Sequence, residues 1–253
     1  MIHKKYTLLL PFLVLPLFFS HFEESYSQRL SVEIETGGFW FSQNDVRIPS
    51  DGGVQFDLAE LIGYGFTPYF RVRAQGTFNR NHIVRLQIAP LQASGTGPFF
   101  EPVQFQDSVF LPFLPTRGSY QFNTYRLTYR YLFHRSRNWE LGAGIAGLLR
   151  DAKIQLVQAN LRETNSDIGI VPLLHFYAKR NFNDRFFGVF DIESLVSNQG
   201  RATDAMLSLN FDMSPSWDLF GGYRVLEGGV DNESVYNFSW INYAFIGIKM
   251  NIR

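Results

Sequence analysis

Residues 124–133, TYRLTYRYLF, decide the predicted fold. Aromatic and aliphatic residues at every second position alternate with a polar set, Thr124, Arg126, Thr128 and Arg130. Successive side chains of a β-strand point to opposite faces, so this period of two predicts a strand with one apolar and one polar face. Such a strand fits a membrane barrel, whose outside is apolar, or a soluble sandwich, whose inside is apolar. A second criterion is therefore needed.

The same alternation recurs along the chain in segments separated by turn residues, which is the pattern of consecutive strands. The ten predicted strands are residues 30–41, 68–78, 82–91, 119–133, 139–150, 169–179, 185–196, 203–213, 217–226 and 238–252.

The lengths of the connections supply the second criterion, because short and long connections alternate. The short ones are residues 79–81, 134–138, 181–184 and 214–216, the long ones are 42–67, 92–118, 151–168 and 227–237, and 197–202 is intermediate. Outer-membrane barrels have short periplasmic turns and longer outer loops, whereas a sandwich has no reason to alternate in this way.

Aromatic residues cluster beside the short turns, and the chain holds 26 Phe and 12 Tyr with only 18% charged residues. Amphipathic rings settle at a membrane–water interface, so a ring of them at one level predicts a barrel girdle. The predicted girdle residues are Phe78, Phe133, Trp139, Phe182, Phe186 and Trp217. We therefore predict an all-β fold, one antiparallel transmembrane barrel of about ten strands, with eight or twelve as alternatives.

The N-terminus has the features of a cleaved export signal. Lys4 and Lys5 precede an apolar stretch, residues 8–19, which is too short for a comfortable transmembrane helix. Ser25 and Ser27 supply the small residues before a cleavage site at Gln28. The expected organisation is a signal peptide, residues 1–27, and a barrel, residues 28–253.

Charge and composition exclude several classes of function. The formal net charge is zero, which argues against a nucleic-acid partner, and the absence of Cys excludes disulfides and thiolate metal sites. Acidic residues of the long connections, such as Asp45, Asp57 and Glu60, match no defined calcium spacing. No cofactor or metal is predicted.

The last strand carries a family resemblance. Phe245, Gly247, Met250 and Ile252 match part of the C-terminal pattern by which outer-membrane barrels are recognised for assembly, although the usual terminal aromatic is missing. Over residues 28–253 the chain resembles the broad class of small, porin-like Gram-negative outer-membrane β-barrels. The resemblance implies a cell outer membrane location. It also implies contact with outer-membrane lipid and lipopolysaccharide and insertion by the barrel-assembly machinery, but it assigns no activity.

The alternation of side chains along each strand, at odd and even positions (the strand parity), places many charged residues on the inward face. Most inward bases fall on the second to sixth strands and most acids on the first and the seventh to ninth, so they face each other across a narrow lumen. Buried charge persists only when paired, which predicts an ion-pair network that fills the barrel; a selective polar channel is the alternative. The predicted network is Glu33, Glu35, Arg71, Arg73, Arg85, Arg126, Arg130, His175, Asp191, Glu193, Asp204 and Arg224.

His175 is the inward residue that invites an enzymatic interpretation. A barrel hydrolase would place a Ser and an acid beside it, but Ser194 has the opposite parity from Asp191 and Glu193. No motif of the outer-membrane lipid A deacylases or the omptin proteases is present. We therefore expect a hydrogen-bonded interior His and no catalytic residue.

Two long connections have structure-forming patterns. Residues 56–62, FDLAELI, have the spacing of a short helix, and residues 92–118 are rich in Phe and Pro. The second segment could fold over the mouth, extend a hairpin or dock on a protein partner. The functional alternatives are accordingly a non-enzymatic barrel with a structural, binding or transport role, an envelope enzyme acting on lipid or peptide, and a subunit of a larger envelope assembly.

Overall fold

The computed structural model describes residues 29–197 and 200–252, so the predicted signal peptide lies outside the described residues. The chain is almost entirely strand, with one short helix. The elements are β1 (Arg29–Arg47), β2 (Phe56–Asp57), α1 (Leu58–Ile62), β3 (Thr67–Phe78), β4 (His82–Ala89), β5 (Gln92–Pro98), β6 (Val103–Phe105), β7 (Ser108–Phe110), β8 (Pro115–Arg135), β9 (Trp139–Gln158), β10 (Leu161–Asn181), β11 (Phe186–Ser197), β12 (Gly200–Ser214), β13 (Trp217–Asp231) and β14 (Tyr236–Ile252). Within the described ranges, α1 falls short of the length and apolarity that a membrane-crossing helix requires.

The barrel wall has ten antiparallel strand positions, and it closes because β14 pairs with β1 as well as with β13. The strands β4 and β5 together occupy one of these positions, since both pair with β8. Pro90 separates them, as expected of a residue without a backbone N–H. The predicted barrel of ten strands is confirmed, and the alternative numbers of eight and twelve strands are wrong.

The predicted long loop 151–168 is wrong. In the structure β9 runs to Gln158 and β10 begins at Leu161, so a tight turn joins two long strands. In this hairpin polar residues such as Lys153, Gln155 and Asn165 occupy both faces, because it projects beyond the apolar part of the barrel. The contrast between faces is therefore lost from the sequence pattern. The 42–67 and 227–237 connections also shorten, since β1, β13 and β14 extend into them.

The outer surface of the barrel is apolar. Outward residues of the central strands, such as Leu127, Ile170 and Leu207, are exposed although they are large and hydrophobic, while the inward arginines are buried. The predicted girdle residues are exposed as well: Phe78, Phe133, Trp139, Phe182, Phe186 and Trp217. This distribution is inverted relative to a soluble protein and is that of a barrel surrounded by lipid.

A lid covers part of the outer mouth, at the end opposite the short turns. The predicted helix within 56–62 is confirmed as α1, capped by the Asp57 carboxylate, which accepts the Ala59 N–H at 2.9 Å. The helix buries Leu58 and Leu61 against the inward face of β5 and β8. A Cβ on Gly95 would collide with carbonyl oxygens of α1, so glycine allows this close approach.

The hairpin β6–β7 completes the lid. Phe105 and Phe110 are fully buried with Phe56 and Phe99, and the Gln106 N–H donates to the Ile48 carbonyl at 2.9 Å. The middle of the apolar 92–118 segment, residues 99–114, therefore folds over the mouth, while its two ends belong to the barrel strands β5 and β8. Its remaining large residues, such as Phe100 and Phe113, are exposed.

Candidate functional site: an ionic network between two cavities

The twelve predicted network residues lie at the middle of the lumen on β1, β3, β4, β8 and β10–β13. All of them are buried except Glu33, whose side chain is 19% exposed. They point inward because they occupy even positions on β8, β12 and β13 and odd positions on β1, β3, β4, β10 and β11, as the alternating pattern requires. The strands therefore bring into one space charges that are far apart in sequence.

Glu35 is the first centre of the network and is completely buried. Its carboxylate accepts hydrogen bonds from Arg71 at 3.0 Å, Arg73 at 2.9 Å and Arg224 at 3.2 Å. The Tyr69 hydroxyl donates a fourth bond at 2.7 Å. Three cations and one hydroxyl thus satisfy a carboxylate that would be costly to bury alone.

Glu193, on the opposite wall, is the second centre. It accepts from Arg85 at 2.6 Å, from Arg126 and from the Thr128 hydroxyl at 2.7 Å. The His175 Nδ1 lies 3.0 Å from the same carboxylate. Asp191 lies beside this centre and pairs with Arg85 at 2.6 Å.

Asp204 connects the two centres. It accepts from Arg126 at 3.0 Å and from Arg224 at 2.7 Å, and these two arginines also contact Glu193 and Glu35 respectively. The ion pairs therefore form one continuous system across the lumen. Glu33 extends it toward the short-turn end through Arg73 at 2.9 Å.

Arg130 is held more loosely than its neighbours. Its nearest carboxylate, Asp191, is 3.7 Å away, and its guanidinium lies 3.7 Å from the centroid of the Tyr177 ring. Stacking on an aromatic face partly replaces the ion pair. The Gln75 side-chain oxygen accepts a further bond at 3.2 Å.

His175, Asp191 and Glu193 form a cluster whose ligand atoms lie within 4.8 Å of one another, the spacing of a metal site. Their surroundings do not suit a divalent cation. Arg85 donates to both carboxylates, so the charge that a cation would need is already neutralised, and a second cation would be repelled. The arrangement suits a structural ion-pair centre better than a metal centre.

No hydroxyl hydrogen-bonds to His175 within residues 29–197 and 200–252. The nearest candidate by sequence, Ser194, instead bonds with Thr203 at 2.8 Å on the other face of the sheet. The Thr128 hydroxyl donates to Glu193 rather than to the imidazole. The cluster lacks the nucleophile–base contact that acyl transfer requires.

The network separates two cavities. A vestibule of about 990 Å³ opens at the short-turn end, with Arg73, Arg85 and Arg130 at its inner limit. A smaller cavity of about 180 Å³ lies at the outer end, beside the lid. A third space, lined in part by Arg71, Arg126 and Asp204 of the network, is about 10 Å³, which is marginal for even one water molecule.

Sequence reasoning missed two features of this region. The hydroxyls of Tyr69 and Thr128 complete the carboxylate centres, and both have the parity of the inward arginines. The outer cavity was also missed, although inward parity continues from Ala146 through Leu148 to Arg150 on β9. The cavity could have been predicted by assigning the inward-facing positions of each strand beyond its charged residues, toward the outer end.

No protein-family model and no curated protein matches this chain. Among solved structures, the outer membrane protease OmpT from Escherichia coli is similar, with a TM-score of 0.54 and 9% identity over 90% of this chain and 99% of that chain. An outer membrane channel from Pseudomonas putida F1 gives a TM-score of 0.43 at 7% identity, over 94% of this chain and 98% of that chain. Ail, the attachment invasion locus protein of Yersinia pestis, gives 0.39 at 10%, over 89% and 99%.

At these identities the likeness concerns the fold and not the activity. The fold is that of the Gram-negative outer-membrane β-barrels, as the C-terminal strand pattern suggested. The apolar belt and its aromatic girdle are the surface that such a barrel presents to lipid. The chain therefore has the fold of the outer-membrane β-barrels, with an ionic network across the middle of its lumen.

Proposed function

We propose that this protein is a non-enzymatic outer-membrane barrel with a structural or binding role, and that its lumen does not conduct. The observation that carries the proposal is the continuous ion-pair system from Glu35 through Arg224, Asp204 and Arg126 to Glu193. The same proposal includes two kinds of partner. The apolar outer surface of the barrel contacts outer-membrane lipid and lipopolysaccharide, and the barrel-assembly machinery inserts the chain.

The energetics favour a plug over a polar channel. Charged groups that line a channel stay hydrated, so that ions can exchange their water for protein ligands and leave again. Glu35 and Glu193 instead have side-chain exposures of 0% and 1%, and arginines occupy their oxygens. Opening a path would require breaking several buried ion pairs at once.

The experiment is conductance in planar lipid bilayers. The purified protein is expected to give no steady ion current, and Arg126→Ala is expected to reduce stability more than it changes conductance. A steady current in the parent protein that Arg126→Ala alters without moving the unfolding midpoint would show an open path instead.

The surroundings of His175 support the non-enzymatic part of the proposal. Its Nδ1 contacts Glu193, its Nε2 has no hydrogen-bond partner among the described residues, and arginines surround the neighbouring carboxylates. A base so enclosed at mid-lumen lacks a route to a large envelope substrate. The alternative enzyme is tested by assaying lipid A deacylation and peptide cleavage.

A second candidate function is that of a subunit in a larger envelope assembly, with the 92–118 segment as its partner surface. Phe100 and Phe113 are 73% and 71% exposed on the lid, and their ring centroids are 6.3 Å apart. Exposed aromatic pairs of this kind are frequent at interfaces. A photo-crosslinker at position 113 is expected to capture a protein in cells, whereas one at the belt residue Ile170 captures only lipid. Equal protein capture at both positions would remove the special role of the lid.

A further inference from the structure

The outer cavity has an apolar wall directly above the ionic network. On β11, β12 and β13 the inward face changes from charged to apolar one inward residue closer to the outer end. Leu195 follows Glu193, Ala202 precedes Asp204, and Leu226 follows Arg224. Further apolar side chains of this ring include Phe122, Leu148, Val171 and Ile241.

The lid does not fill this space. The helix α1 packs against β1, β5 and β8, on the other side of the mouth from β10–β13. A cavity of about 180 Å³ remains, partly open to solvent. An enclosed apolar cavity of about 150 Å³ is known to hold benzene, so this cavity has room for an apolar body of about that size.

One inward charge at the apolar ring, that of Arg150, is paired only with a solvent-exposed carboxylate. Arg201 and Glu227 also lie at the cavity, but they have outward parity and pair with each other at 2.5 Å. Arg150 has inward parity, and its guanidinium nitrogen bonds to Asp167, whose side chain is 56% exposed. Its Nε is buried without a hydrogen-bond partner.

The Arg150–Asp167 pair is of the kind that a ligand can displace. Exposed ion pairs contribute little free energy because water competes for both partners. A ligand carboxylate at the cavity would offer Arg150 a bidentate partner and would also satisfy the free Nε. Burial of the ligand's apolar body against the ring would add to the free energy of binding.

We propose that the outer cavity binds a small amphipathic carboxylic acid, with its alkyl or aryl body against Leu148, Leu195 and Leu226 and its carboxylate on Arg150. The ligand would remain above the ionic network, because the buried ion pairs of Arg126, Asp204 and Arg224 lie across the lumen below it. This inference goes beyond the proposed closed barrel and does not depend on it. A conducting lumen would overturn the closed barrel alone, and a failure to bind would overturn this inference alone.

The test is a titration of octanoate and of its neutral analogue 1-octanol into the full barrel held in lipid nanodiscs, measured by calorimetry. Empty nanodiscs give the contribution of partitioning into lipid. Octanoate is expected to bind saturably, at one site per barrel, and 1-octanol about tenfold more weakly because it cannot form the charged hydrogen bond. In Arg150→Gln the affinity for octanoate is expected to fall to that of 1-octanol.

Two cavity-filling variants distinguish the outer cavity from other sites. Ala202→Trp and the smaller change Val171→Phe are each expected to abolish octanoate binding, and whichever variant retains the circular dichroism spectrum of the parent is used. No saturable binding in the parent, equal affinity for octanoate and 1-octanol, or unchanged binding in a folded cavity-filling variant would each overturn the proposal.

Discussion

The middle and the outer third of the lumen are formed by the same strands, yet the middle is filled by charged side chains and the outer third is lined by apolar ones. The middle is filled by long charged side chains that reach across to one another, as Arg126 does to Glu193 and Asp204. The outer third is lined by shorter apolar side chains and closed on one side by the lid.

The difference follows from what each region can use to exclude water. At mid-lumen the charges meet opposite charges at hydrogen-bond distance, apart from Arg130, which stacks on Tyr177, so packing and electrostatic pairing coincide. Near the mouth, side chains such as Leu226 and Val171 cannot meet across the barrel. A separate piece of chain, α1 with β6–β7, fills part of the space and a cavity remains. The middle is therefore expected to stabilise the barrel, and the outer third to provide space for binding.

The largest expected effect comes from removing the charge of a network centre. Glu193→Gln leaves Arg85 and Arg126 with a weaker acceptor and is expected to destabilise the barrel by about 3–5 kcal/mol, the cost of breaking a buried pair. The matched control is Glu227→Gln at the exposed Arg201 pair, with an expected cost of about 0–1 kcal/mol. Urea unfolding in phospholipid vesicles measures both. Similar losses in the two variants would contradict the distinction between the buried network and the surface.

Within the network, Arg126→Ala is expected to cost more than Arg130→Ala. Arg126 contacts two carboxylates, whereas Arg130 is 3.7 Å from one and rests on Tyr177. Both variants leave a buried carboxylate less neutralised, so both should lower the urea midpoint. If Arg130→Ala proves the more destabilising, the ranking by ion-pair geometry is incorrect.

Strand parity made much of the network predictable. A period of two fixes the face of each side chain, so Arg126, Arg130 and Glu193 could be assigned to the lumen from sequence alone. The partners could not be assigned, because contacts across the lumen depend on barrel stagger and side-chain reach. Thus Arg224 and Glu35, 189 residues apart, pair only once the barrel has closed.

The outer end was less predictable for a related reason. Lipid imposes the alternation of faces only where strands cross it, so the polar end of the β9–β10 hairpin resembled a loop in the sequence. The lid depends on contacts between distant segments, such as Gln106 with Ile48. Only the helix α1 had a local signal, its apolar spacing after Asp57.

A smaller and more local effect is expected at the lid. The Asp57 carboxylate caps α1 and also accepts from the Asn44 N–H at 2.9 Å and the Tyr64 hydroxyl at 2.8 Å. Asp57→Ala is expected to destabilise the lid by about 0.5–2 kcal/mol, seen as faster hydrogen exchange of the α1 amides. The barrel midpoint should not change, because the network does not contact the helix. Asp51→Ala, in the exposed part of the same connection, is the control. A fall in the barrel midpoint would show that lid and network unfold together.

The smallest effect is expected at His175. Its Nδ1 contacts Glu193, but that carboxylate keeps Arg85, Arg126 and Thr128 when the imidazole is removed. His175→Gln retains a side-chain amide that can donate to the same oxygen. The expected loss is therefore about 1 kcal/mol or less, the net value of one hydrogen bond, in contrast to Glu193→Gln.

The same variant separates a structural His from a catalytic one. Because no hydroxyl hydrogen-bonds to His175 in the described ranges and Ser194 faces away, His175→Gln should leave lipid A deacylation and peptide cleavage at the level of the parent protein. Both assays are run beside the unfolding measurement, so that a misfolded variant is recognised. A parent protein that modifies either substrate, with a His175→Gln variant that folds normally and does not, would replace the closed structural barrel with an envelope enzyme. Its base would then lie at the centre of the ionic network, and the network's arginines would have to serve the substrate as well as the fold.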